Sequence, residues 1–309
     1  MNNCIYNSIQ IDEVNYYWIK SIDEYNSVDI VNDSNMELDE GSFYNYFEKL
    51  KGTECIKRLT IHYSSQLKNV GIIRFFPNLA LLRINGQNIK SLDGLEWFKN
   101  GKSINISLEK HQKCNIEKVS LAPIQSLYLN RSFSKDFEAI GKCSSLKTLV
   151  LNINSAPNFI EWRDIPIQYL RFSQGKFSEI QNLGYLKSLN RLMIDSCRKF
   201  ERFSGDNSCV KSLTIVTCKH FDIHSLYALQ GIEYVLINDC AKEINFSELP
   251  EHRTIRKINL LTCKVIFDTF HINEKMPQLR NMYIQNITKE QTAQLEQVNP
   301  NLKIDESLS

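Results

Sequence analysis

The chain has 309 residues, 42% of them hydrophobic and 23% charged, a balance that excludes a disordered or fibrous protein. No run approaches 18 uninterrupted apolar residues, so no membrane-spanning helix is expected. The formal net charge of +2 conceals a split: residues 1–50 carry ten acids against Lys20 and Lys49, which leaves 35 bases against 25 acids beyond them.

Such asymmetry marks separate elements or separate partners. Met1-Asn2-Asn3-Cys4-Ile5-Tyr6 has no basic stretch followed by an apolar run, so no secretory signal is read and a cytoplasmic location is expected. The nine cysteines fit that compartment: their number is odd and none forms C-x-x-C. Residues 1–52 are acidic and rich in aromatics. Within them Asp39–Leu50 has the pattern of an amphipathic helix that lies on whatever follows.

From residue 56 the pattern apolar-x-x-apolar-x-apolar recurs, first as Ile56/Leu59/Ile61 and last as Leu279/Met282/Ile284. Its central residue falls at 59, 82, 104, 127, 149, 170, 192, 213, 235, 258 and 282, steps of 21 to 24. A period of that length signals a solenoid, and alternation within each unit signals a short strand with one buried face. The unit at Ile104/Ile106 is the weakest. After the last one, Thr288-Lys289-Glu290-Gln291 has the spacing of a capping box and starts a helix ending near Asn299-Pro300.

Residues 79–95, Leu-Ala-Leu-Leu-Arg-Ile-Asn-Gly-Gln-Asn-Ile-Lys-Ser-Leu-Asp-Gly-Leu, carry a resemblance. Over about residues 53–304 the chain resembles the leucine-rich-repeat family, L-x-x-L-x-L-x-x-N/C, in the short 22-residue class of bacterial internalins. The resemblance implies an α/β solenoid: a curved stack with a parallel concave sheet of about 11 short strands. Its parts would be an N-terminal cap (1–52), the repeats (53–287), and a cap helix with a truncated last repeat (288–309). The family's Asn/Cys position holds Ser64, Gln87, Glu109, Ser132, Asn154 and Gly175, then Cys197, Cys218, Cys240 and Cys263. The family turns this side chain inward to donate to backbone carbonyls, so the four cysteines read as a buried ladder. The poor third repeat leads us to expect a kink or irregular turn near residues 98–118.

Signatures of chemistry are few. Gly101-Lys102-Ser103 ends like a phosphate-binding loop, but Glu96 stands where the first glycine belongs. Cys218-Lys219-His220-Phe221-Asp222-Ile223-His224 holds four potential metal ligands, yet Cys218 belongs to the ladder and Phe221 to the core. His62, His111, His252 and His271 are scattered over separate repeats, without partners. Asn105, Asn130, Asn245 and Asn286 head Asn-x-Ser/Thr triplets and read as ordinary surface residues. No enzyme activity, cofactor or metal is expected.

Residues between the inward positions face the concavity, and there Tyr, Arg, Met and Leu gather as they do in interface cores. The expected contact set is Tyr128, Arg131, Tyr169, Arg171, Arg191, Met193, Val216, Tyr234, Leu236, Asn238, Asn259, Leu261 and Tyr283. Met193, Val216, Leu236 and Leu261 are taken to hold corresponding positions on consecutive strands and so to merge into one patch. The expected function is non-catalytic protein binding by a chain that is monomeric on its own. Small non-catalytic repeat proteins of this kind include immunity proteins of contact-dependent growth inhibition, which neutralise a toxin by occlusion. The expected partner is therefore one toxin domain with an acidic or mixed surface. Two other readings stay open: an adhesin or effector that binds a host protein, and, from the basic repeats, a nucleic-acid binder. Against the latter, Lys and Arg never form a run of five.

Overall fold

Each apolar position of the repeat stands where a pleated strand places every second side chain under cover. The computed structural model describes residues 19–22, 27–30, 44–45, 47–48, 52–62, 67–85, 88–109, 112–132, 136–240, 243–249, 251–266, 272–305 and 307. The chain divides into two compact units, residues 1–148 and 149–309.

In the first unit β1 (Ile19–Ile22) and β2 (Ser27–Ile30) form an antiparallel pair. The repeat pattern begins only at residue 56 and gave no hint of it. From β2 a parallel ladder runs through β3 (Arg58–Ile61), β4 (Leu81–Ile84), β5 (Ser103–Ile106) and β6 (Ser126–Ser132). Leu59, Leu82, Ile104 and Leu127 stand side by side in register, all buried. The ladder is therefore unbroken at β5, so of the kink or irregular turn expected near 98–118 no kink interrupts the strands. The irregularity lies in the return segment instead, where Asn130 acts as a clamp. Its Oδ1 accepts from the Leu108 N–H at 2.7 Å and its Nδ2 donates to the Leu108 carbonyl at 2.9 Å. One amide thus satisfies both backbone groups of a residue outside the ladder.

Returns between strands are tight 3-10 turns, as at Gly71–Phe75, Leu95–Trp97 and Glu117–Leu121, or the short helix α1 (Asp136–Gly141). They close on Ile72, Ile73, Leu95 and Val119, all fully buried. Gly94 precedes one turn at φ 99°, and a Cβ there would stand 2.3 Å from the Gly71 Cα. Only glycine fits that stacking of turn on turn. Of Asp39–Leu50, described residues 44–45 and 47–48 are helical; the rest lies outside the described residues. Phe47 is buried against the rings of Phe75 and Phe76 at 6.0 and 5.9 Å.

The second unit continues the pattern with β7 (Thr148–Ile153), β8 (Tyr169–Ser173), β9 (Glu179–Gln181), β10 (Arg191–Asp195), β11 (Arg202–Ser204), β12 (Ser212–Val216), β13 (Tyr234–Asn238), β14 (Ile244–Asn245), β15 (Lys257–Leu261), β16 (Val265–Ile266), β17 (Asn281–Ile284) and β18 (Lys303–Ile304). The order β7-β8-β10-β12-β13-β15-β17-β18 forms its ladder, while β9 with β11 and β14 with β16 make two small parallel pairs. Leu170, Leu192, Leu213, Val235, Ile258, Met282 and Ile304 share one register. Beneath them Phe172, Phe177, Phe200 and Phe221 form a chain of ring contacts 5.3 to 5.9 Å apart. Burial of each such side chain contributes about 1.5–3 kcal/mol.

The short helix α2 (Ile272–Lys275) serves as one of the returns, and α3 (Lys289–Val298) follows the last full repeat. Gln291 donates its N–H to the Thr288 Oγ1 at 3.2 Å, and the Thr288 N–H donates to the Gln291 Oε1 at 3.0 Å. This reciprocal capping box starts α3, and β18 then adds a last strand to β17. Strand, turn and short return repeat throughout each unit. The fold is a leucine-rich-repeat solenoid.

Candidate binding face of the sheet

Strand alternation leaves one sheet face of the second unit uncovered, and parallel register sorts its side chains into rows. Arg171, Met193, Thr214, Leu236, Asn259 and Tyr283 form the middle row, each one residue after the central apolar position. Ser173, Asp195, Val216, Asn238 and Leu261 form the row nearer the strand ends. Tyr169, Arg191, Ser212, Tyr234, Lys257 and Asn281 form the row nearer the strand starts.

This corrects the expected patch. Met193 and Leu236 belong to the middle row with Thr214 between them, while Val216 and Leu261 belong to the next row with Asn238 between. Counting offsets from the central residue explains it: two of the four follow it by one position and two by three. The four still occupy consecutive strands β10, β12, β13 and β15, as diagonal neighbours about 8 Å apart. All four are half-buried. They form a zigzag of apolar side chains rather than a stripe.

Charge is distributed unevenly around it. Arg171 is ion-paired with Asp195, and Lys219 with Asp239, so acids at the strand ends are compensated. Lys211 and Arg256 share Glu233 at 3.8 and 3.7 Å, and Lys257 reaches Asp305 at 3.3 Å. Arg191 is exposed, and among the described residues no carboxylate lies within ion-pair distance of it. Tyr169 donates its hydroxyl to the Met193 sulfur at 3.5 Å, which fixes that flexible side chain against the ring. Tyr234 stands exposed at the rim.

A groove of about 570 Å³ crosses β10 to β15, with Arg191, Lys211, Tyr234, Leu236, Lys257 and Asn259 among its walls. Asn259 was expected to be exposed. It is only 8% accessible, and its Oδ1 accepts no hydrogen bond. A buried carbonyl oxygen without a donor costs about 1–3 kcal/mol, and this one is covered from solvent beneath the groove.

Tyr128 and Arg131 belong to the first unit, not to this face. Tyr128 shares a row with Thr60, Arg83 and Asn105, over a groove of about 460 Å³ that Arg58 and Leu81 also line.

Just past the strands of the second unit the backbone turns left-handed at Gln174, Ser196, Thr217, Asp239 and Thr262, with φ between 50° and 55°. Four of these five residues donate their N–H to the end of the next strand, for example Ser196 to the Val216 carbonyl at 2.8 Å and Thr217 to the Asn238 carbonyl at 2.9 Å. The turn points the following residue inward. Cys197 and Cys218 are fully buried and Cys240 nearly so, but Cys263 is half-buried, where all four were expected inside. Cys218 donates to the Val216 carbonyl at 3.4 Å and to the Ile194 carbonyl of the previous repeat at 3.7 Å. Cys263 donates to the Leu261 carbonyl at 3.1 Å. Burial pushes the Cys197 thiol up to about 11 and those of Cys218 and Cys240 up to about 12. Earlier repeats lack this ladder: Glu109 and Asn154 at the same position are exposed.

No protein-family model matches the chain, and no curated protein matches it. Among solved structures the chain is similar to the internalin InlF from Listeria monocytogenes, at 11% identity over 92% of this chain and 87% of that one, with a TM-score of 0.48. It is similar to the functional domain of InlJ from the same organism, described as including a cysteine ladder, at 12% identity over 76% of this chain and 57% of that one, with a TM-score of 0.40. It is also similar to TLR13 in a complex with ssRNA13, at 16% identity over 74% of this chain and 32% of that one, with a TM-score of 0.47.

The remaining chemical candidates are absorbed by the scaffold. Asp222 caps the turn Ile223–Ala228, accepting from the His224 N–H at 3.0 Å and contacting its Nδ1 at 2.8 Å, while Phe221 is core. His220, Asp222 and His224 therefore do not converge with Cys218, which faces the ladder. Among the described residues no group of His, Cys, Asp and Glu has a metal-binding arrangement. His252, expected without partners, is buried and donates from Nε2 to the Leu229 carbonyl at 3.0 Å. Burial holds its pKa below the usual histidine range. Lys211 and Lys257 line the groove but were absent from the expected contact set. Reading rows by register instead of residue by residue finds Lys257, beside Tyr234. Nothing in the sequence singles out Lys211, which precedes its strand.

Proposed function

We propose that this chain is a non-catalytic binding protein whose second-unit sheet face occludes one protein partner, and that the partner is a toxin domain. In that reading it is an immunity protein of a contact-dependent growth inhibition system. The observation that carries the binding reading is the zigzag of Met193, Val216, Leu236 and Leu261 with Tyr169, Tyr234, Arg171 and Arg191 around it. Aromatic and arginine side chains around an apolar centre are what interface cores use. Neutralisation requires affinity and coverage and no chemistry, which suits a surface whose acids and bases are largely paired.

The test places a photo-cross-linking residue at position 236, with Tyr185, exposed on the turn Leu183–Tyr185, as the control position. One protein should be captured from the native host at position 236 and not at 185. Expressed alone, that protein should arrest growth. The wild-type chain should relieve the arrest, and Leu236→Asp with Leu261→Asp should not. Equal capture at both positions would overturn the assigned face. A captured protein that is harmless when expressed alone would overturn the immunity role and leave the binding role in place.

A further inference from the structure

The sheet face of the first unit carries a groove of its own, and the polar side chains in it are unusual for being unpartnered. In the register of β3 to β6, Thr60, Arg83, Asn105 and Tyr128 form the middle row. Arg58, Leu81 and Ser103 form the row nearer the strand starts. Arg83 therefore stands at the centre. Thr60 and Asn105 are beside it at about 5 Å, and Arg58 and Ser103 lie on the diagonals at about 8 Å. All of these residues line one groove of about 460 Å³. Arg83 is exposed, and Thr60, Ser103, Asn105 and Tyr128 are half-buried. Among the described residues these five make no side-chain hydrogen bond or ion pair, and no carboxylate lines the groove. The one acidic position in the row is Asp29 on β2, two strands from Arg83. In the second unit, by contrast, Arg171 has Asp195 and Tyr169 has Met193.

We infer that this groove is a site for a mononucleotide, with the phosphoryl group over Arg83 and the base against Tyr128. The site goes beyond the binding role proposed above, since it lies in the other unit and shares no residue with the face that carries that role. Two guanidiniums, the Thr60 and Ser103 hydroxyls and the Asn105 amide supply hydrogen-bond donors around one point. A carboxylate is answered by a single guanidinium fork, whereas a phosphoryl group brings a charge of about −2 and three acceptor oxygens. Only the phosphoryl group uses donors that arrive from β3, β4 and β5 together. It does not fill the groove, whose volume is within the range of about 300–1,000 Å³ that small-molecule sites occupy. Tyr128 lies two strands from Arg83, about 10 Å along the row, with Asn105 between them. A ligand that reaches both carries its phosphoryl group at one end and a flat body at the other. A nucleobase gives the tyrosine ring a π-face to stack on, and such stacking tolerates any base.

The test is calorimetric titration of the full chain with AMP, adenosine and ribose 5-phosphate. AMP should bind with a Kd below about 1 mM, and each of the other two at least about tenfold more weakly, one for want of the phosphoryl group and one for want of the base. Substitution should separate the two ends. Arg83→Gln should weaken AMP and ribose 5-phosphate about tenfold and leave adenosine unchanged. Tyr128→Leu should weaken AMP and adenosine about tenfold and leave ribose 5-phosphate unchanged. A measurement on the wild type guards against a variant that fails to fold: photolysed 8-azido-AMP should label the peptide that holds Tyr128, and excess AMP should prevent it. No binding of AMP, adenosine bound as well as AMP, AMP bound by both variants as by the wild type, or a label confined to other peptides would each overturn the site. An oligoribonucleotide bound more than about tenfold tighter than AMP, and released by Arg83→Gln, would make the occupant a nucleic-acid strand and overturn the mononucleotide. Capture through position 236 tests the second-unit face separately, so either proposal can fail without the other.

Discussion

Cys197, Cys218, Cys240 and Cys263 follow four consecutive ladder strands, yet their surroundings are graded. A thiol reacts as its thiolate, and burial disfavours the charged form. Cys197 and Cys218 are fully buried, with thiols raised to about 11 and about 12, whereas Cys263 is half-buried at the end of the series. Native-state alkylation read by mass spectrometry should therefore label Cys263 before Cys240, and leave Cys197 and Cys218 unlabelled until denaturant is added. Early labelling of Cys218 would mean that the turn does not point inward. The turn itself stores strain. Thr217 holds φ 50°, a conformation that β-branched residues rarely adopt. Thr217→Gly relieves that cost at the expense of some chain entropy, and should raise the stability of the second unit by about 1 kcal/mol in denaturant unfolding. A loss of stability would show that the threonine side chain contributes more than its backbone costs.

At the scale of an element, the return between β13 and β15 hangs on His252. Its backbone N–H donates to the Lys275 carbonyl and its Nε2 donates to the Leu229 carbonyl, so one residue ties together three successive repeats. The ring is neutral there, and burial lowers its pKa from the ordinary value near 6.5. An unfolded chain takes up a proton as the pH falls through about 6.5, and the folded chain does so only at lower pH. The stabilising effect is thus fully present above about 6.5 and is lost as the pH falls below it, by at most about 1.4 kcal/mol per pH unit. Thermal unfolding at pH 7.5 and 5.5 should show a larger loss for the wild type than for His252→Gln; equal losses would remove His252 from the account. Nothing in the sequence marks this histidine, since it closes mainly on carbonyls, which every residue carries, with the Thr254 hydroxyl 3.4 Å from its Nδ1. The elements themselves were legible. Leu192 or Leu213 must face inward whatever surrounds them, so their spacing yields the strands, and Thr288 with Gln291 yields the last helix. What periodicity does not carry is which polar side chain closes a gap. Asn130 at the Leu108 return, His252, and Asn259 at the groove floor all look like surface residues in the sequence.

At the scale of the molecule, the same repeat that buries one side of each strand leaves the other free to vary, and function can be read only from that other side. Offsets from the central residue identified the face but not its pattern, because register aligns equal offsets and separates unequal ones. The zigzag changes the expected cost of disturbing it. Leu236 and Leu261 are half-buried, not exposed, so Leu236→Asp with Leu261→Asp removes some packing as well as contact area. Losing part of two leucine side chains costs about 1–2 kcal/mol of folding stability. In a complex the new carboxylates would lose their water without gaining a cation, which costs about 2–5 kcal/mol of affinity. Near Leu261 the penalty is reinforced, since Asp239 donates its N–H to the Leu261 carbonyl and its own carboxylate already engages Lys219. Denaturant unfolding and calorimetric titration of the captured partner should therefore separate, with a small fall in stability and a fall in affinity of at least about thirtyfold. Leu236→Gln with Leu261→Gln guards against a folding failure: it adds no charge and should give a smaller loss of affinity. Affinity kept by both pairs would place the contact elsewhere. Affinity lost equally by both would mean that buried apolar area, rather than the desolvation of charge, governs binding at this face.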